Sequence, residues 1–216
     1  MVTAPPIVLP IGHYLGAVHP GDGRPPSYHV VRAGWEPYRL ADETELDVWG
    51  IAHGLPDELT LRGAWTRAAV LAAAAQAGHA DVEPVLDSLL DRGLAVEVRP
   101  GTEQAREFAR HHRIQPLLLG LGRAPGEELD GIGVPGLVLA LRATPRVLEV
   151  WEWAHLWPDL WSACEGLAEA ARDTGRTEPS DADPDQVLTF VLGAVQTLIA
   201  HGAAYLDHRP RPEARS

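Results

Sequence analysis

The sequence contains no lysine, so all 18 basic residues are arginine, and it has one cysteine, Cys164. A single cysteine cannot form an intrachain disulfide, so nothing here depends on an oxidising compartment. No apolar run reaches the roughly 18 residues that a membrane-spanning helix needs. The first residues, MVTAPPIVLPIG, lack the basic segment and cleavage site of a secretory signal. We therefore expect a cytoplasmic protein without a membrane partner.

Catalytic signatures are also missing. We find no Gly-x-Ser-x-Gly, and the glycines around positions 120 and 131 do not lead into a helix that would cradle a phosphate. Cys164 lies in an apolar helical segment, where core packing is the simplest role. We expect a non-catalytic protein without a cofactor.

A metal site has one weak candidate, Glu149, Glu152 and His155. The spacing of Glu152 and His155 matches that of di-metal helical bundles, but a second Glu-x-x-His is absent. Histidine at a helix end also hydrogen-bonds free carbonyls, which is the interpretation we prefer for His53 and His155. We expect no metal.

The net charge of −12 limits the choice of partner. A nucleic-acid backbone is bound through a basic surface, and this balance opposes such binding unless cations cluster. Residues 42–99 carry 11 acidic and 4 basic side chains, a net charge of −7. A nucleic-acid partner is therefore not expected.

An internal repeat is visible at a displacement of 102 residues. Residues 46–57, LDVWGIAHGLPD, align with residues 148–159, LEVWEWAHLWPD. Over 41–90 and 143–192 there are 15 identities in 50 positions, against a chance expectation of about 4. Near Gly93 and Gly202 the displacement becomes 109, so the second copy has gained seven residues (109 − 102), about two helical turns.

Each copy is predicted to contain short strands followed by three helices. In the first copy we expect strands at 13–18, 28–33 and 35–40, with a turn-rich hairpin loop at 19–27. Helices follow with Asp42 as N-cap, from Pro56 to about 77, and with Asp81 as N-cap, and a strand at 94–98 closes the unit. In the second copy Thr144 is the expected N-cap of the first helix, Pro145, Pro158 and Pro184 open the helices, and 173–185 is a polar loop.

The predicted fold class is α+β, with two tandem winged-helix-like domains related by duplication. The first domain spans 1–99, a linker spans 100–116, the second domain spans 117–208, and 209–216 form a disordered tail. The linker is expected to hold at most a short helix.

Residues 28–49 and 85–96 carry a resemblance to PqqD-like domains, the recognition elements of ribosomally made natural products. They combine a strand, a turn, a strand, a capped helix with an internal tryptophan, and a helix that ends in a glycine–hydrophobic step. The resemblance covers about 90 residues of the first copy and, more weakly, residues 117–207. It implies that an extended peptide is added to the edge of the third strand and packs on the third helix. Carried onto this chain, the resemblance gives a peptide site formed by Trp35, Tyr38, Leu40, Val85, Leu89 and Arg92.

Tryptophan is abundant, with seven residues, of which four lie between positions 151 and 161. Trp49 and Trp151 occupy equivalent positions on buried helical faces and are expected in the core. Trp153, Trp157 and Trp161 form either an interface between the copies or a ligand surface, since tryptophan is favoured in binding anchors.

Three functions remain open on the sequence alone. The first is a peptide- or protein-binding accessory protein, whose partner is a precursor leader peptide or a biosynthetic enzyme. The second is a winged-helix regulator that binds DNA. The third is a small-molecule binding or self-resistance protein with a tryptophan-rich pocket.

Overall fold

The chain opens with a strand that sequence patterning did not predict. This strand, β1 (Ile7–Pro10), pairs antiparallel with a distant strand, β5 (Ala95–Val98). The structure is a computed structural model that describes residues 4–21 and 26–210. All four residues of β1 are buried, so its sequence lacks the alternation of apolar and polar residues that marks a half-exposed strand.

A three-stranded antiparallel sheet follows, in the order β2 (His13–Val18), β3 (Tyr28–Ala33) and β4 (Glu36–Leu40). The third strand begins at Glu36 rather than Trp35, because Gly34 (φ 61°) and Trp35 form the turn. The predicted hairpin loop at 19–27 lies partly outside the described residues.

Four helices complete the first half: α1 (Glu43–Ile51), α2 (Pro56–Arg62), α3 (Arg67–Gln76) and α4 (Val82–Asp91). The Asp42 side chain accepts a hydrogen bond from the Glu45 amide, so the predicted cap of α1 is confirmed. The predicted second helix is two helices, because Gly63 (φ 71°) ends α2 in the left-handed region and Thr66 caps α3. Asp81 precedes α4 but makes no capping bond, so that expectation was wrong.

The predicted linker is structured. It contains a helix, α5 (Glu103–His111), and a strand, β6 (His112–Pro116). Strand β6 pairs antiparallel with the last strand, β10 (Ala204–His208). Residues 112–116 therefore belong to a sheet of the second half rather than to a free connection.

The second half contains another three-stranded sheet, in the order β7 (Leu119–Gly122), β8 (Asp130–Val134) and β9 (Val138–Ala143). Its helices are α6 (Pro145–Trp153), α7 (Leu160–Asp173), α8 (Pro179–Ala182) and α9 (Pro184–Ala200), with a 3₁₀ turn at Ala154–Leu156. Thr144 caps α6 as predicted. Helix α7 starts at Leu160, capped by Asp159, rather than at Pro158, and α8 interrupts the predicted loop. Of the predicted tail, residues 211–216 lie outside the described part of the chain.

The fold is α+β with small antiparallel sheets, and the same order of elements occurs twice. The Ile11 amide donates to the Leu94 carbonyl, and the Leu117 amide donates to the Ala203 carbonyl, each at 2.9 Å. Helix α9 has 17 residues and α4 has 10, a difference of seven (17 − 10), which equals the gain inferred from the change of register.

The two first helices differ in the setting of their tryptophans. The Trp49 indole donates to the Leu94 carbonyl at 3.2 Å. The Trp151 indole nitrogen is buried without a hydrogen-bond partner among the described residues, and its ring packs against Gly120. The two halves therefore share an order of elements but differ in detail around this position.

The halves are joined by one continuous core and by the buried side chain of Gln196 on α9. Its amide oxygen accepts from the Trp65 backbone N–H at 3.1 Å. Its amide nitrogen donates to the carbonyls of Trp65 (2.9 Å) and Val8 (3.2 Å). One side chain of the second half thus satisfies backbone groups on two segments of the first.

A second junction forms at β10. Asp207, 2% exposed, accepts from the Gly34 amide at 2.5 Å and pairs with Arg32 at 3.1 Å. Because the carboxylate is buried and charged, its polar partners in the first half are needed to offset the loss of hydration. Within the described residues, none of the helices combines the length and hydropathy needed to cross a membrane.

We expect Gln196→Leu to destabilise the protein by about 1–3 kcal/mol for each backbone group left without a partner. Urea unfolding, followed by circular dichroism, measures the change. Gln186→Leu is the matched control, because Gln186 is an exposed residue of the same helix. Equal unfolding free energies for the two variants would contradict the importance of the buried amide.

Candidate functional site

The predicted peptide groove is not formed as expected. Leu40 and Leu89 are fully buried in the core, and Arg92 is the residue that joins α4 to β4. Its guanidinium donates to the Arg39 carbonyl and pairs with Glu45. The Arg92 side chain therefore already occupies the Arg39 carbonyl, one of the backbone hydrogen-bond acceptors of β4.

The remaining predicted groove residues do not form one groove, because Trp35 and Tyr38 line a cleft with His208 and Arg209, whereas Val85 lies elsewhere. Trp35 is 85% exposed at the β3–β4 turn, while Val85 borders a shallow depression of about 400 Å³ beside Asp42 and Glu45. Tyr38 is partly buried and packs against the core. Within β4, Pro37 has no amide hydrogen to offer an added strand. This edge is poorly suited to a peptide.

The three tryptophans of the second half do not line a common cavity. Trp153 and Trp157 are 50% and 40% exposed, and the Trp157 ring lies over the backbone of Gly166. Trp161 is partly buried beneath two arginines of α5, Arg106 and Arg110, at 5.1 and 5.7 Å from its ring centre. Such cation–π contacts fix Trp161 against α5.

Neither α4 nor α9, which correspond to the predicted third helix of each copy, offers a basic surface to nucleic acid. Helix α4 is acidic, and Arg67, which faces it, pairs with Asp87 at 2.5 Å and with Glu83 at 3.4 Å. Most of α9 is buried, including Val191, Leu192 and Val195. A helix that forms the core cannot also enter a major groove.

An exposed apolar surface on the β7–β8–β9 sheet was not predicted from the sequence. It consists of three side chains on β7 and β9 that share the face of the β8 glycines, each between 37% and 60% exposed, and we call it the leucine face: Leu119, Leu121 and Leu139. Leu137, in the turn before β9, and Val138, at the start of β9, are 85% and 50% exposed. Contiguous exposed apolar patches mark interaction sites in many proteins.

Two glycines of β8 shape the leucine face. A Cβ atom at Gly131 would lie 2.9 Å from a methyl group of Leu139, and one at Gly133 would lie 2.1 Å from the Val138 carbonyl oxygen. The side chains of Leu121 and Leu139 therefore lie over bare backbone in the middle of the sheet. The alternation of Leu and Gly in residues 119–122 was the signal available in the sequence.

Strands β4 and β9, each at the edge of its three-stranded sheet, differ in the residues that protect this edge against pairing with an added strand. Each pairs with one neighbour only among the described strands. Strand β4 carries Glu36, Pro37 and Arg39 and is contacted by Arg92, which are the devices that block edge pairing. Strand β9 reads Val-Leu-Ala-Leu before its first charge at Arg142. Its register with β8 shifts at Ala140, which has no partner in β8, and its second edge pairs with no described strand.

Buried histidines stabilise several helix ends. His53 and His112 each place Nδ1 near the carbonyl four residues earlier, at 2.9 and 2.8 Å, so the neutral ring donates from Nδ1. Burial lowers the pKa of His53, and it lowers the pKa of His112 to about 4. The Nδ1 of His155 is buried without a partner among the described residues.

In the described part of the chain, no group of three or more His, Cys, Asp or Glu residues is positioned to hold a metal ion. Glu149 pairs instead with Arg176 at 3.0 Å. Burial raises the pKa of the Cys164 thiol well above its ordinary value, which makes the thiolate rare.

Comparison with the profiles of known protein families, with curated proteins and with solved structures gave no match to this chain.

We expect the pKa of His112 to make the fold less stable in mild acid. Its folded pKa of about 4 lies below the ordinary 6.5, so the unfolded chain takes up the proton first as the pH falls between these values. The contribution of His112 amounts to about 2 kcal/mol lost between about pH 7 and pH 5. His112→Gln should therefore show a smaller loss than the wild type, measured by urea unfolding at both pH values.

His19→Gln is the control, because His19 is exposed. The same loss of stability with pH in all three proteins would exclude His112 as the titrating group.

Proposed function

We propose that the chain is a non-catalytic binding protein built from two winged-helix-like units that arose by duplication, and that it captures an extended peptide or protein segment along β9. The repeated order of elements, the matching backbone bonds at Leu94 and Ala203, and the seven additional residues of α9 support the duplication.

The observation that carries the binding function is the open edge of β9 beside the leucine face. An added strand gains backbone hydrogen bonds at the edge, and its alternate side chains contact the apolar surface. Leu139 belongs to both the edge strand and the leucine face, because it lies on β9 and its side chain covers Gly131. The partner segment is therefore extended, with apolar residues at alternate positions.

The resemblance to PqqD-like domains fits this arrangement in the second unit better than in the first. Strand β9 is the third strand of its sheet, as β4 is in the first unit. The resemblance implies peptide addition at that strand, and in the first unit Arg92 already contacts β4. The second unit is then the working copy, and a leader peptide or a segment of a biosynthetic enzyme is its partner.

The other two functions have less support. The acidic α4 and the buried α9 disfavour DNA. Trp153 and Trp157 are surface residues, which disfavours a tryptophan-lined pocket between the units.

Selection from a phage library of random peptides of about 10 residues, longer than a typical strand, should enrich sequences with alternating apolar residues. Synthetic copies of the enriched peptides are then titrated by fluorescence anisotropy. Leu139→Arg should weaken binding by about 10-fold or more, because it places a charge on the apolar contact. Leu15→Arg is the matched control, since Leu15 is an exposed leucine of the first sheet.

N-methylation of alternate peptide residues tests the backbone contribution. One of the two alternate sets should abolish binding, since only one set of N–H groups faces β9. Equal effects of Leu139→Arg and Leu15→Arg, or equal tolerance of both methylated peptides, would refute strand addition at β9.

A further inference from the structure

A cleft opens where the first sheet meets the last strand. Its walls are the β3–β4 turn on one side and strands β6 and β10 on the other, and its volume is about 240 Å³. A neighbouring cleft of about 240 Å³ shares Gly34, Trp35, His208 and Arg209 with it. Both clefts lie at the junction of the two halves and away from the leucine face.

The cleft concentrates positive charge in an acidic protein. Arg32, Arg113 and Arg209 line it, and Asp207 is its one acidic residue among those described. Asp207 is already engaged, because its oxygens accept from the amides of Gly34 (2.5 Å) and His208 (2.9 Å) and pair with Arg32. Little of its charge is available to anything else.

The three arginines differ in their partners. Arg32 donates to Asp207, to the Gly34 carbonyl and to the Tyr205 hydroxyl, and Arg209 pairs with Asp159 at 3.0 Å. Arg113 is opposite Asp207 in the β6–β10 register, yet it makes no ion pair with any described residue. Its Nε is buried without a hydrogen-bond partner in that part of the chain. A buried donor of this kind is costly unless a ligand or water meets it.

Trp35 supplies the second feature. It lines both clefts and, at 85% exposed, has the largest solvent exposure among the large apolar side chains described, together with Leu137. An indole at the rim of a cationic cleft offers a flat apolar surface beside the charge.

We propose that this cleft binds a small organic oxyanion, with the carboxylate or phosphate held by Arg113 and a planar group against Trp35. A guanidinium presents paired N–H donors that match both kinds of oxyanion. The volume of one cleft suits the anionic group with a single ring. The site is independent of peptide binding at β9, and either can be present without the other.

Titration calorimetry at low salt with benzoate and phenyl phosphate tests the proposal, with benzamide as the neutral control. Nitrogen-15 correlation spectra report the indole N–H of Trp35 during the same titrations. We expect one or both anions to bind at millimolar concentration or tighter and to shift the Trp35 signal, and benzamide not to bind. Binding of benzoate alone, phenyl phosphate alone or both supports the site and identifies the oxyanion that it accepts.

Arg113→Gln should weaken anion binding by about 10-fold or more, as expected for loss of a charged hydrogen-bond donor. Arg99→Gln is its control, an exposed arginine elsewhere. Trp35→Ala alters an exposed turn residue, so it keeps the test valid even if Arg113→Gln fails to fold, and Trp153→Ala is its control. Absence of binding by both anions, or unchanged binding in Arg113→Gln or Trp35→Ala, overturns the proposal.

Discussion

The buried amide of Gln196 constrains the whole arrangement. It is one side chain, yet it meets backbone groups of β1 and of the segment before α3 while it sits in the helix that forms the core of the second half. The Trp65 carbonyl also accepts from the Val8 amide at 2.8 Å, but the Val8 carbonyl and the Trp65 amide depend on Gln196, so the position of α9 helps to determine where β1 and Trp65 lie. The Asp207 junction then aligns β10 with the β3–β4 turn, and the cleft at that junction follows from it.

Local chemistry made much of the fold predictable. Caps such as Asp42 and Thr144 act within three residues, and a leading proline such as Pro145 sets the start of a helix, so these boundaries can be found in the sequence. Strands β1 and β6 were missed for the opposite reason. Each pairs with a partner about 90 residues away in sequence, β1 with β5 and β6 with β10, and nothing local marks a short strand whose stability comes from that distant neighbour.

The candidate sites were harder to predict, because they depend on which side chains the chain leaves uncovered. Leu40 and Leu89 have the same apolar character as Leu139, but only the last is exposed, and burial is decided by tertiary packing. Arg92 and Arg113 are likewise alike in sequence terms. One meets Glu45 and the other meets no described carboxylate, a difference that arises only when strands and helices from both halves come together.

The dependence of the first half on α9 has a consequence for synthesis on the ribosome. A chain emerges from its N-terminus, so β1, β5 and the first four helices are available long before residue 196 is added. Until then the Val8 carbonyl and the Trp65 amide must remain hydrated, so the surface of the first half that α9 covers stays exposed to water. Its final packing therefore waits for α9, 131 residues downstream of Trp65, which makes the two halves a single cooperative folding unit rather than two successive ones.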